Sequence, residues 1–409
     1  MADVEKVFSH IDSLEKEMVD TLGKLISIPA ISPDSGGRGE LRKVKLLEKL
    51  LREMGFKEFQ RIDAPDERAE GGVRPNLIVR VPGEDSSKRL WIVTHTDVVP
   101  EGERSLWETD PFTPVVRGEK LYGRGVEDNG QEMVASIYGM KALLDLGLKP
   151  KMDVYLCFVA DEETGSKYGI QYLLQQELFR KDDLIIVPDG GNAEGTLLEV
   201  AEKSIVWVRV ETKGKQCHAS MPERGKNAHR AALEYGHLID KKLHEKYSAR
   251  NDLFDPPIST FEPTKKEANV PNVNTVPGED VFYFDCRILP EYDVEDVLGY
   301  MQQVADEVAA RHGVAITIST VQKETATEPT PPDAPVVQML ARAVDMVYHN
   351  DPKPGGIGGG TCAAIFRRAG YPAVVWAKLD DTCHAPNEYI WIKNLVNDAK
   401  VYAALALMG

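Results

Sequence analysis

The sequence has no apolar run long enough to span a bilayer. Its opening residues, Met-Ala-Asp-Val-Glu-Lys, lack the apolar stretch and small-residue cleavage site of a secretory signal, so a cytoplasmic protein is expected. Cysteine is scarce. Cys157, Cys217, Cys286, Cys362 and Cys383 are scattered, odd in number and never spaced Cys-x-x-Cys, which argues against both a disulfide framework and a thiolate zinc site. They read as reduced thiols, mostly buried. Positive charge is also in deficit, with 49 Lys and Arg against 65 Asp and Glu. The net charge of −16 would repel nucleic-acid phosphates and anionic lipid, which leaves small molecules as the expected partners. No internal repeat or low-complexity tract is present. What remains is an ordinary globular composition, 42% hydrophobic and 28% charged, over 409 residues. That length exceeds the usual size of one core, so two domains are expected.

The first third alternates helical patterns, near 4–28 and 39–54, with short β-rich runs at 76–81 and 90–95. Further runs follow at 153–159 and 183–187, with a helical stretch near 131–147 between the second and third of the four. Continuous apolar strands separated by helices imply an α/β domain with a mostly parallel sheet covered on both faces. In such sheets ligands bind where strands end. From about 203 the pattern changes to strand, helix, two strands, helix and strand, which suits a smaller α+β unit with its own sheet. A Thr/Pro-rich linker, Thr325 to Pro335, follows, and Ala373-Val-Val-Trp-Ala377 reads as a further strand of the first sheet. The second domain (203–325) is therefore read as an insertion into the first (1–202 and 326–409).

Several polar clusters follow the apolar runs. In Thr94-His95-Thr96-Asp97, alternate strand residues share a face, so His95 and Asp97 can point the same way. A metal-bound imidazole commonly donates its other N–H to a carboxylate, although the same spacing also serves an ordinary local hydrogen bond. Gly123-Arg-Gly-Val-Glu-Asp128-Asn-Gly carries acids into a turn before a helix, where acids also simply complement the helix dipole. Asp161-Glu162-Glu163-Thr-Gly places three acids together, and like charges so dense repel unless cations compensate them or water solvates the turn. Val187-Pro-Asp189-Gly-Gly alone is a turn sequence. Asp381-Thr-Cys-His384-Ala-Pro-Asn-Glu388 follows the last strand. The joint pattern matters more than any member, because imidazole and carboxylate ligands from separate strand ends form the N/O set that zinc prefers.

In this order the residues resemble the di-zinc metallopeptidase family of aminoacylase, succinyl-diaminopimelate desuccinylase, glutamate carboxypeptidase and carnosinase. The resemblance runs over nearly the whole chain. It implies that His95 and Asp189 hold one zinc, Glu163 and His384 the other, and that Asp128 bridges them. Cobalt or manganese could substitute. It further implies Glu162 as general base and Asp97 as partner of the histidine. Within the insertion, Gly214-Lys-Gln-Cys-His218-Ala-Ser-Met-Pro resembles the family's lid and dimerisation domain, whose histidine reaches a neighbouring subunit. Asn274 and Asp285-Cys-Arg287 resemble the lid residues that grip a substrate carboxylate, and Gly355–Gly360, including Gly359, reads as a backbone-lined substrate loop because no Lys-Ser/Thr follows it.

The sequence departs from the family at Asn129-Gly130-Gln131, after the bridging residue, and at Thr361-Cys362, after the glycine-rich loop. Asp at 189 is the residue that the family's dipeptidases and tripeptidases tend to carry, whereas its deacylases and glutamate carboxypeptidases tend to carry Glu. The resemblance therefore implies a homodimeric amide hydrolase acting on a short peptide with a free carboxylate. Deacylation of an N-acyl amino acid is the principal alternative, and a non-catalytic binding protein on the same fold is a distant one.

Overall fold

A computed structural model of the chain describes residues 2–408. They divide into two compact units, one of residues 1–200, 330–354 and 361–409, the other of 201–329 and 355–360. Compared with the boundaries read from sequence, the second unit takes in residues 201–202, four more linker residues and the glycine-rich segment.

The principal sheet has eight strands in the order Glu58–Pro65, Val73–Val81, Met152–Val159, Asp85–His95, Leu184–Val187, Ala373–Val375, Leu197–Glu202 and Lys353–Ile357. Its four consecutive strands from Met152–Val159 to Ala373–Val375 run parallel, and the two before them pair antiparallel. The parallel strands are buried on both faces. Trp91, Val93, Cys157, Val159, Ile185 and Val187 pack with Leu173, Cys362 and Phe366 on one side, while Leu90, Ile92, Leu156 and Phe158 are buried on the other. Burial on both faces is why these segments read as continuous apolar runs. Helices Gln131–Asp145 and Ile392–Leu407 lie against each other so closely that a Cβ on Gly139 would stand 2.7 Å from the carbonyl oxygen of Ala399.

The helical pattern near 39–54 forms as Leu41–Glu53, with Leu41, Val44, Leu47, Leu50 and Leu51 buried at helical spacing. The pattern at 4–28 forms two helices, Ala2–Ser13 and Glu15–Ile26, interrupted at Leu14. Thr325–Pro335 runs as an irregular segment until Pro335 opens the helix Pro335–Tyr348, a first-turn position where its missing N–H costs nothing.

The second unit has a four-stranded antiparallel sheet in the order Thr260–Lys266, Glu279–Ile288, Ser204–Lys213, Ala315–Glu324. Val206, Val208 and Val210 alternate inward along one strand and share a core with the helices Ala228–Lys246 and Val294–His312. Among the described residues no helix is long and apolar enough to cross a membrane.

Candidate metal centre

All the candidate ligands lie in the first unit. His95 is the last residue of its strand, Glu162 and Glu163 follow the Met152–Val159 strand, Asp189 follows Leu184–Val187, and His384 comes after Ala373–Val375. Parallel strands end at one edge of a sheet, so loops distant in sequence converge there. Asp128 enters from the turn before the helix Gln131–Asp145.

The side chains meet around Asp128. His95 Nε2 lies 2.8 Å from Asp128 Oδ1 and 3.4 Å from Asp189 Oδ1. His384 Nε2 lies 3.1 Å from Asp128 Oδ2 and 3.0 Å from Glu163 Oε2. Each oxygen of Asp128 thus faces one imidazole, the disposition a bridging carboxylate needs. Ligand atoms of His95, Asp128 and Glu163 lie within 4.8 Å of one another, and so do those of His95, Glu162 and Asp189. Glu162 therefore stands as near this centre as the expected ligands, but its carboxylate accepts no hydrogen bond from any described residue.

The electrostatics fit a cationic guest. Burial, and then the charge of Asp189, pushes Glu162 well above the usual carboxylate range. Burial likewise raises Glu163 and Asp189, with Asp128 adding to both. Burial alone would lower the His95 pKa, but Asp189 and Asp128 overcome it and hold it well above its ordinary value. Hydrogen bonding to Asp128 and Glu163 pushes His384 up to about 10. Four acids and two imidazoles gathered in a largely buried space lack enough fixed positive charge, and nitrogen with carboxylate oxygen is the donor set that suits zinc and its neighbours.

Asp97 meets both His95 and the Glu162–Glu163 turn. The strand ends at His95, so alternation does not carry on to Asp97. Its carboxylate accepts the backbone N–H groups of Glu162 at 3.1 Å and Glu163 at 3.2 Å. Toward His95 Nδ1 it is the carbonyl oxygen of Asp97 that comes within hydrogen-bonding reach, at 3.0 Å, while the carboxylate stands at 3.6 Å. The residue thus fixes the imidazole through its backbone and the Glu162–Glu163 turn through its side chain.

The unusual turn after Asp128 also has partners. The Asp128–Asn129 peptide is cis. Asn129 Nδ2 donates to the Pro188 carbonyl at 2.5 Å and to Asp189 Oδ1 at 3.2 Å, joining this turn to the Asp189 loop. A Cβ on Gly130 would stand 2.4 Å from the Gly125 carbonyl oxygen, so glycine is needed there. Thr361 caps the helix Cys362–Arg368 by accepting the Ala363 N–H, and the Cys362 sulfur lies 3.2 Å from the Ser166 hydroxyl. Arg124, Glu127 and Glu388 are buried beside the centre. The sequence does not single them out, because nothing distinguishes the two acids from the ligands beside them, Glu127 being next to Asp128 and Glu388 four residues after His384.

The second unit holds the remaining candidates. His218 is exposed, and the Ser220 N–H donates to its Nδ1 at 3.2 Å. In the neutral ring the proton then sits on Nε2, which leaves an N–H free to donate. Asn274 is exposed and its carbonyl accepts the Ala219 N–H at 2.9 Å, beside His218. Arg287 is half-buried and already engaged: Nε and Nη2 donate to the two oxygens of Asp285 at 2.6 and 3.0 Å, and Nη1 donates to the Gly358 carbonyl at 2.5 Å. Gly359 follows that carbonyl in the glycine-rich segment.

Parallel strands with an imidazole–carboxylate cluster at their ends define the chain as a metallohydrolase. The model of "Peptidase family M20/M25/M40" matches residues 91–408, and the chain belongs to that family. It is 38% identical to an uncharacterized metallohydrolase of Methanococcus maripaludis, over 95% of this chain and 98% of the relative. It is 27% identical to a succinyl-diaminopimelate desuccinylase of Cereibacter sphaeroides, over 91% and 93%. The fold is similar to that of human carnosine dipeptidase 1, with a TM-score of 0.76 and 19% identity over 99% of this chain and 98% of that one.

Proposed function

We propose that this enzyme hydrolyses the amide bond of a short peptide next to a free carboxylate, in the cytoplasm, with a pair of zinc ions. His95 and Asp189 would hold one ion, Glu163 and His384 the other, and Asp128 would bridge them. The observation that carries the reading is Asp128 itself, whose two oxygens each face a histidine of a different loop. Cobalt or manganese fits the same donors.

Two ions bound there would supply an acidified water, its pKa drawn from about 15.7 towards 7. Glu162 takes the remaining proton as the water attacks the amide carbon, then passes it to the leaving amine. The free Nε2–H of His218 is the donor we assign to the developing oxyanion. Asn274, Gly359 and Arg287 are assigned to the substrate, with the carboxylate going to the two N–H groups of Arg287 left over from its five after three are used.

We assign catalysis to the domain of residues 1–202 and 326–409, and pairing of two copies to the inserted domain, 203–325. Support for pairing comes from Leu233, 60% exposed on the helix Ala228–Lys246, and from the unpaired outer edge of Thr260–Lys266. Both border a groove of about 430 Å³ that also takes in His237, Pro263 and Phe282.

Deacylation of an N-acyl amino acid is the second reading, favoured by the similarity to a desuccinylase over most of both chains. A panel of dipeptides beside N-acetyl and N-succinyl amino acids, each with zinc, cobalt and manganese, separates the two. Turnover confined to N-acyl substrates would overturn the peptidase reading, and no turnover with any metal would favour a binding protein.

A further inference from the structure

Two loops of the first unit bring Asp128 and His384 together, and each lends the other a buried glutamate. From the His384 loop, the fully buried Glu388 reaches the Asp128 loop, where it accepts the backbone N–H groups of Gly125 and Glu127 at 2.9 Å and Asp128 at 3.1 Å. Arg124 Nη1 also donates to it at 2.7 Å, and Arg124 Nη2 donates to the His384 carbonyl at 3.2 Å. In return Glu127, 4% exposed, reaches the His384 loop. It accepts the Asp380 N–H at 2.8 Å, the Thr382 N–H, and the Thr382 hydroxyl at 2.8 Å. Beyond the loops, Tyr389 pairs with Tyr122 in a small antiparallel sheet.

We propose that Glu127 and Glu388 are positioning residues, a reciprocal clasp that sets the separation of Asp128 and His384 and so the ability of the site to hold two ions. This rests on the di-metal reading above. A carboxylate collecting several N–H donors from one turn fixes that turn's backbone, and two such contacts running in opposite directions fix two loops against each other. A glutamine could not substitute quietly, because its NH2 would face an N–H. The contacts also divide the work. Glu127 grips only the loop of His384, whereas Glu388 holds the backbone of Asp128, which serves both ions. Their loss should therefore have different consequences.

The experiment titrates the metal-free full chain and its variants with Co²⁺, following d–d absorbance and heat, with far-UV circular dichroism and melting of the metal-free proteins as controls. Wild type should take two ions. Glu127→Gln should keep one at wild-type affinity and bind the other about 10–100-fold more weakly, whereas Glu388→Gln should weaken both by about that range. Thr382→Val, which keeps the Thr382 N–H on Glu127 but removes the hydroxyl's contacts to Glu127 and to the Tyr389 backbone, should weaken one ion roughly 2–10-fold. It decides the matter alone if the glutamate variants do not fold. Two ions bound with wild-type affinity and spectrum by Glu127→Gln, or by Thr382→Val in its place, would overturn the clasp. So would equal weakening of both ions by Glu127→Gln alongside a lowered melting temperature, which would mark a structural role only. A wild type that binds fewer than two Co²⁺ ions would overturn the di-metal reading and the clasp with it, and that failure shows in wild type before any variant is made.

Discussion

The two units carry their candidate polar residues in opposite ways. In the first, His95 is 2% exposed, Asp97 is fully buried, and the carboxylates around them are mostly enclosed. In the second, His218 and Asn274 are open to solvent and Arg287 is tied up by its own neighbours. A buried charge must be compensated where it lies, so its partners are visible within one chain. An exposed group carries no such obligation, and its geometry leaves its ligand unstated. The comparison predicts that changes in the first unit act on metal binding and proton transfer within one chain, while changes in the second act only through the substrate or partner that its surface meets.

The largest effect should come from Glu162. Glu162→Gln keeps size and polarity but removes the base, and kcat should fall by on the order of 10²–10⁴-fold with metal content unchanged. Its position near His95 and Asp189 makes the metal measurement decisive. A variant that loses an ion would make Glu162 a ligand and reassign the base.

His218 should follow. Loss of one oxyanion donor costs about 10²–10³-fold, and His218→Ala should show that loss with both ions retained. If His218 serves the other copy of a dimer, mixing it with Glu162→Ala rebuilds one complete site in each mixed pair. Random assortment makes about half of the dimers mixed, with one of two sites working, so roughly a quarter of wild-type activity should return. Mixed dimers detected by mass spectrometry but lacking activity would return His218 to its own subunit or remove it from catalysis.

Asp97→Ala should cost about 10–100-fold in metal affinity or activity, as a group that supports ligands without being one. Its two contacts fall on the Glu162–Glu163 turn, so the Glu163 ion should weaken more than the Asp189 ion, which isothermal titration would resolve. Greater loss of the Asp189 ion would instead point to the imidazole of His95, assigned to that ion, as its chief client.

What the sequence makes legible follows from the same contrast in burial. The four parallel strands stand out because both faces are buried, and the residues just beyond them are the ones that converge. The strand Glu58–Pro65 is invisible by that test, since Ala64 is its only buried residue. The break at Leu14 is hidden because an apolar period runs through both helices it separates. That Asp97 meets His95 chiefly through its backbone is not legible, because the strand ends at His95 and alternation stops with it. Glu127 and Glu388 were passed over for a deeper reason. A glutamate that holds metal and one that holds backbone N–H groups are the same letter, and only the fold says which atoms each meets.

Arg287 gives the smallest and most discriminating test of the second unit. Arg287→Lys keeps the charge but cannot span both Asp285 oxygens and the Gly358 carbonyl together, so it loosens the glycine-rich segment as well as any grip on substrate. These two losses separate by substrate. If the free N–H groups hold the substrate carboxylate, kcat/KM should fall by about 10-fold on peptides with a free carboxylate, the scale of one weakened charge-assisted contact, and change little on their amidated counterparts. The fall should appear in KM, because the substrate carboxylate takes no part in the bond changes and is bound alike before and during the reaction. Equal loss on both substrates, expressed in kcat, would instead mean that Arg287 serves the Gly358 carbonyl. The substrate carboxylate would then have to be held by another group.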